Sequence, residues 1–219
     1  MTHQAHILTL TWEGPFAWPG FEGVAGLPSL PQKPGVYLQT FEYQNGYLIY
    51  LAGITRRPLP ARFKDHTRKY RNGEYNVLDI DAARRGVRKE VWHGWGYARA
   101  HREEFEARKP EILEAVRRQL AGFCIFVAEV GTGPRILERI EAAVMNHLYR
   151  QPPPVCDIPD KGMYPGSPLA FGGPHPGREC LQSPSLRAPR LPRDIALLRT
   201  SPTAASAIRP CFLQGGFFG

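Results

Sequence analysis

The stretch ARFKDHTRKYR, residues 61–71, holds six basic or imidazole side chains in eleven positions. Within it, Arg62 and His66 are four residues apart, which places them on one face if the segment is helical. Residues 56–71 carry seven Lys or Arg and a single acid, Asp65. An arginine keeps its charge at any physiological pH and can fork onto phosphate oxygens. A histidine holds or relays a proton near neutrality. Two readings stand for this stretch: a solvated basic helix, or a face that handles phosphate.

A second unusual position lies in PRILERIEAAVMNHLYR, residues 134–150. At about 100° per residue and with Leu137 at the origin, Ile140, Val144 and Leu148 fall within about 60° of it, and Glu141 falls at about 40°. Met145 follows at about 80° and Glu138 at about 100°, the edge of the apolar arc. A carboxylate inside a core-facing stripe is costly unless it is paired or binds a metal. Glu141 therefore reads as a metal ligand, or else as a residue at the stripe margin or one paired with an arginine.

These side chains need elements to position them. The run GVYLQTFEYQNGYLIYLAGIT, residues 35–55, has two β-rich segments around Asn45-Gly46, a strong hairpin signal. It predicts strands at about 35–42 and 47–54, with Tyr37 on the first and Tyr43, Tyr47 and Tyr50 on or near the hairpin. Pro58 and Pro60 suit a helix's first turn, and Asn72-Gly73 its end, so a helix is expected over about 59–70. Short strands are expected within 74–80 and 88–95, and helical spacing covers 101–120. GFCIFVAEV, 122–130, reads as a buried strand. Residues 131–133 read as a turn before a helix over about 134–149. Near the N-terminus, ILTLTW (7–12) reads as a short strand and 13–34 as a Gly/Pro-rich loop.

The composition bounds the rest. The chain has 219 residues, 42% apolar, with a net charge of +8 and a pI near 9.5. That is enough for one domain with a core, and its basic balance favours polyanionic partners, nucleic acid first. No C-x-x-C or close Cys/His pattern occurs among the four cysteines, so no structural zinc is expected. The N-terminus lacks a signal-peptide plan and no apolar run reaches bilayer-spanning length, so a cytoplasmic protein without membrane contact is expected. Thirteen prolines and eight glycines among the last 69 residues predict a disordered or irregular tail. The predicted fold is α+β: a small, mainly antiparallel sheet flanked by helices. An N-terminal strand and loop (1–30) precede the domain proper (31–157), which carries an αβ insertion at about 74–121, and the tail occupies 158–219.

Taken in order, Gly35-Val36-Tyr37, a second strand ending Gly53-Ile54-Thr55, Arg62-x-x-x-His66, and a later helix with Glu141 resemble the GIY-YIG nuclease family. LPQKPGVY, residues 30–37, is similar to the family's lead-in to its first motif. The resemblance spans residues 30 to about 157. It implies that Tyr37 activates the attacking water, Arg62 steadies the phosphate, His66 assists one turn later, and Glu141 holds a divalent metal, Mg2+ or Mn2+. It implies a DNA endonuclease acting on double-stranded DNA. The second motif's tyrosine is replaced: counted back from Gly53, its place holds Leu51. Tyr50, one place away, would need a bulge or a shifted pairing to join the site. The family's asparagine a dozen residues past the glutamate is also missing, since 153–156 read Pro-Pro-Val-Cys. Backbone-phosphate contacts are expected from Arg57, Lys64, Arg68, Lys69, Arg71, Arg88 and Lys89, with Arg84, Arg85, Trp92 and His93 of the insertion as further candidates. The alternatives are a catalytically impaired nucleic-acid-binding module on the same fold, and a structural domain with a basic surface.

Overall fold

A computed structural model describes residues 8–130 and 135–161. The expected tail beyond 161 and the expected turn at 131–133 lie outside them. The elements in chain order are β1 (Glu13–Ala17), α1 (Glu22–Ala25), β2 (Gly35–Tyr43), β3 (Gly46–Thr55), α2 (Leu59–Arg71), β4 (Val77–Leu78) and α3 (Ile80–Ala83). They continue with β5 (Glu90–Trp92), α4 (Trp95–Ala100), α5 (Arg102–Ala107), α6 (Lys109–Gly122), β6 (Phe123–Ala128) and α7 (Ile136–Tyr149). The architecture is α+β, as the hairpin and helical periodicities indicate.

The main sheet has four antiparallel strands in the order β1-β6-β2-β3, and β4-β5 form a separate two-stranded ribbon. Alternation in β2 and β6 divides the core between the sheet's two faces. Tyr37, Phe41, Phe123, Ile125 and Val127 pack with Phe63 and Tyr70 of α2 and with Ile112, Val116 and Leu120 of α6. Val36, Leu38, Cys124, Phe126 and Ala128 pack with Ile140, Met145 and Leu148 of α7. Both faces of β6 are therefore covered, which accounts for its unbroken apolar sequence. Strand β3 ends the sheet, and α7 covers it: the Ala52 amide donates to Met145 Sδ at 3.2 Å. A helix laid on an edge strand removes a template for unwanted pairing.

Three expectations move. The N-terminal strand lies at Glu13–Ala17 rather than 7–12, because Glu13, Phe16 and Ala17 pair with Val127, Ile125 and Cys124. The helical stretch 101–120 is two helices, α5 and α6. Pro110 occupies the first turn of α6, where its missing N–H is tolerated, and so marks a new start. Residues 158–160 belong to the core rather than the tail. Ile158 is fully buried, the Asp160 amide donates to Tyr50 O, and Asn76 Nδ2 donates to Asp160 Oδ1 at 3.1 Å.

Candidate functional site

Helix α2 buries Leu59, Phe63, His66 and Tyr70, so His66 occupies a position of its apolar stripe. A polar group there needs a partner. It has one: Tyr37 Oη lies 2.7 Å from His66 Nε2, 29 residues apart in sequence. Tyr37 is 1% exposed and His66 3%. The contact is possible because Tyr37 sits opposite Gly53 across the hairpin. A Cβ on Gly53 would come within 2.4 Å of Tyr37 Oη and Cζ, so the phenol lies over a position that tolerates no side chain. Gly53 thereby creates the space that the Tyr37 ring occupies.

Burial decides the protonation of the pair. It raises the Tyr37 phenol to about 12, with Arg62 pulling the other way and Glu141 adding to the rise. Burial, then the charges of Arg62 and Lys69, lowers His66 to about 3. At neutral pH both groups are uncharged. When the phenol donates to Nε2, the imidazole proton resides on Nδ1.

Arg62, one turn before His66, is half-buried and couples to Tyr37, Tyr75 and Asp65. Its Nε is buried without a hydrogen-bond partner. That atom is closed to solvent, but the residue as a whole is only half-buried, and a guanidinium carries further N–H donors that suit an oxyanion supplied from outside.

Glu141 reaches this group from α7. It is half-buried, and its carboxyl is raised by desolvation, with Arg62 lowering it and Glu138 raising it further. Among the described residues it forms no hydrogen bond or ion pair, whereas Glu138 at the arc's edge pairs with Arg56 at 2.7 Å. No group of three or more His, Cys, Asp or Glu comes together among the described residues. A site for a divalent ion here would rest on one carboxylate, with water and phosphate oxygens completing the shell. Magnesium accepts that arrangement, since it keeps several waters and binds few protein oxygens.

The pairing of β2 with β3 slips between Gln39 and Thr40: Gln39 faces Leu51 and Thr40 faces Ile49, leaving Tyr50 as the extra residue of a bulge. Tyr50 thereby joins the same core as Tyr37, but it does not join the pair. Its ring packs on Phe41 and Phe123, with centroids 5.9 and 5.7 Å away. Burial raises it well above an ordinary phenol, and the charges acting on it are those around Asp160 and Arg88, not Arg62 or Glu141. Leu51 remains half-buried beside it.

A different tyrosine borders the pair. Tyr75 has its ring centroid 5.6 Å from that of His66, is half-buried, and couples to Arg62 and Asp65. Lys69 Nζ lies 5.4 Å from its centroid. Tyr75 sits just past α2, in the stretch 74–80 where a short strand is expected, and neither that strand nor the Asn72-Gly73 helix end marks it as a neighbour of His66.

The basic residues divide. Lys64, Arg68 and Arg71 are exposed on α2, and Lys69 is half-buried. Arg57 pairs with Asp65 at 2.6 Å, and Arg68 reaches the same carboxylate at 3.5 Å. Lys89 pairs with Asp79 at 3.0 Å. Arg88 is committed to the fold: Nη1 donates to Ile158 O at 2.7 Å and Pro159 O at 3.0 Å, and Nη2 to Glu90. It anchors the end of the described chain and is not available as a phosphate contact. Trp92 is buried and donates to Gly73 O, while Arg84 and Arg85 are exposed.

Comparison of the chain with protein-family models, with curated proteins and with solved structures finds no match.

Proposed function

We propose that the chain is a metal-dependent endonuclease that hydrolyses phosphodiester bonds in DNA, on the plan of the GIY-YIG family. The carrying observation is the buried, uncharged Tyr37–His66 pair at 2.7 Å, with Arg62 and Glu141 acting on it. Phosphodiester hydrolysis needs a deprotonated water, compensation of charge at phosphorus, and help for the leaving oxygen. Arg62, half-buried one turn before His66, supplies a permanent positive charge. A phosphate on Arg62 also offsets one of the charges that hold His66 low, so substrate binding raises the basicity of the imidazole. Tyr37 Oη then takes a proton from water as its own passes to His66 Nε2, and no free phenolate is needed beforehand. Magnesium or manganese, held by the Glu141 carboxylate, would supply Lewis-acid stabilisation of the phosphate and leaving oxygen. Nicking of supercoiled plasmid with and without Mg2+ tests the reading. Wild type should nick only with metal, and Arg62→Ala and Glu141→Gln should not nick.

One observation favours the second reading, a catalytically impaired nucleic-acid-binding module: Leu51 fills the second-motif slot and Tyr50 is spent on the core. Salt-dependent DNA binding without metal-dependent nicking by the wild-type chain would select it.

A further inference from the structure

The rings of Trp95, Tyr75, His66 and Tyr37 form a continuous series from the surface to the buried pair. Successive centroids are 5.2, 5.6 and 5.9 Å apart. Trp95, its outer member, is 37% exposed, while Trp12, Trp18 and Trp92 are 8%, 0% and 2% exposed. The backbone holds Trp95 there at a cost. It has φ +56°, in the left-handed region, which is uncommon for residues other than glycine. Three contacts fix it. The Trp95 amide donates to Glu74 O at 2.8 Å, and the Gly94 amide to Asn76 Oδ1 at 2.7 Å. A Cβ on Gly94 would meet the Tyr75 carbonyl carbon at 2.4 Å, so the segment lies directly on the Tyr75 backbone. Asn76 is itself tied to buried Asp160. A strained conformation persists where the surroundings over-determine it, and here it presents an indole beside the candidate site.

We propose that Trp95, backed by Tyr75, is a stacking platform for one unpaired nucleobase of the nucleic acid whose phosphate Arg62 receives; this rests on the nuclease reading above. Charge complementarity selects the occupant. Lys69 stands over the Tyr75 ring and Arg62 is coupled to Tyr75, so an aromatic surface and two cations converge, as single-strand-binding surfaces require. An apolar peptide would gain nothing from those cations. A fully paired duplex offers no base face to a side-mounted indole. The preferred substrate therefore has an unpaired nucleotide next to the scissile phosphate, which narrows the expectation of plain double-stranded DNA.

The full-length chain is titrated in EDTA with an eight-nucleotide single strand, and with a blunt hairpin duplex of the same sequence, while tryptophan emission is followed. Wild type, Trp95→Phe and Trp95→Leu are compared, with melts to establish that each is folded. The single strand should quench wild-type emission, and Trp95→Phe should abolish the quench, since the other three indoles are buried. Affinity for the single strand, read by anisotropy of a labelled strand, should fall about tenfold in Trp95→Leu and recover in Trp95→Phe, with duplex affinity unchanged. A quench that persists in Trp95→Phe overturns the proposal, and so does an equal loss for strand and duplex. An indole that no strand quenches, as when another part of the chain or a second copy covers it, overturns it too. The two readings fail separately. Metal-dependent nicking without a Trp95 quench removes the platform and keeps the nuclease. A Trp95 quench without nicking by any metal removes the nuclease and keeps the platform.

Discussion

Gly53 lies beneath the phenol of Tyr37, and a methyl group there would stand 2.4 Å from the hydroxyl oxygen. The two residues are direct cross-strand partners. The space that Gly53 leaves vacant is where Tyr37 turns toward His66. Gly53→Ala should therefore push the ring off its hydrogen bond. The expected cost is about 1–3 kcal/mol, the range for overpacking a filled core. A thermal melt reads the stability. A histidine NMR titration reads the bond: His66 should no longer be held so far below its ordinary range. An unchanged melt together with an unchanged His66 titration would show that the ring relaxes elsewhere.

His66 makes stability depend on pH in a defined direction. It is about 6.5 in an unfolded chain and about 3 here, with burial the first cause. Between those values the unfolded state binds the extra proton. Stability is therefore complete above about pH 6.5 and declines as pH falls toward 3, by about 1.4 kcal/mol per unit at the steepest. His66→Phe should flatten that part of the profile in urea melts at pH 7, 6, 5 and 4. Parallel slopes in the two proteins would assign the acid sensitivity to other groups.

Arg62→Ala should abolish cleavage and largely spare DNA binding. Removing one aligned charge at a developing oxyanion costs about 100-fold or more in rate. Lys64, Arg68 and Arg71 remain exposed on the same helix to hold the polyanion. Nicking rate and filter-binding affinity, measured on the same preparation, separate the two effects. Equal losses would make Arg62 an ordinary backbone contact.

The end of the described chain yields a sharp pair of truncations. Ending after Lys161 should leave a cooperative melt, because Ile158 and Asp160 are retained with their contacts. Ending after Asp157 should destabilise the domain. It removes buried Ile158, the carbonyls that Arg88 binds, and the Asp160 oxygens that Asn76 and Tyr149 use. A fold that tolerates both cuts equally would make residues 158–161 a surface strap.

Much of this was legible because it is local. The Asn45-Gly46 turn and period-2 patterning gave the hairpin, and the i, i+4 spacing put Arg62 beside His66. The arc of α7 isolated Glu141 before any neighbour was known. What was missed depends on long-range contact. Strand β1 contains Gly14 and Pro15, which read as a turn until β6 is there to pair with. Arg88 looks like any exposed cation until the chain returns 70 residues later to offer it Ile158 O. Tyr75 falls in the stretch expected to hold a short strand, and nothing local says that its ring packs beside that of His66. Tyr50 shows a related limit: the bulge it needed is present, yet the core and not the pair receives the ring.

Glu141→Gln is the most informative single change. The carboxyl is raised by desolvation, and Arg62 offsets this only in part. A raised carboxyl binds its proton more tightly in the folded state. Its burden on stability is therefore absent at low pH and sets in as pH rises through the carboxylate range. The amide is nearly isosteric and carries no charge to desolvate, so the mutant should be as stable as wild type at pH 7 or more so. Mg2+ or Mn2+ bound to the native carboxylate should raise the wild-type melting temperature by linkage, and the mutant should lose that response along with metal-dependent nicking. Melts of both proteins at pH 7, with EDTA or with millimolar metal, measure the two effects together. Equal metal shifts in wild type and mutant, or nicking by the mutant at the wild-type rate, would take Glu141 out of the site. It would then be a stripe residue whose charge is balanced by Arg62 alone.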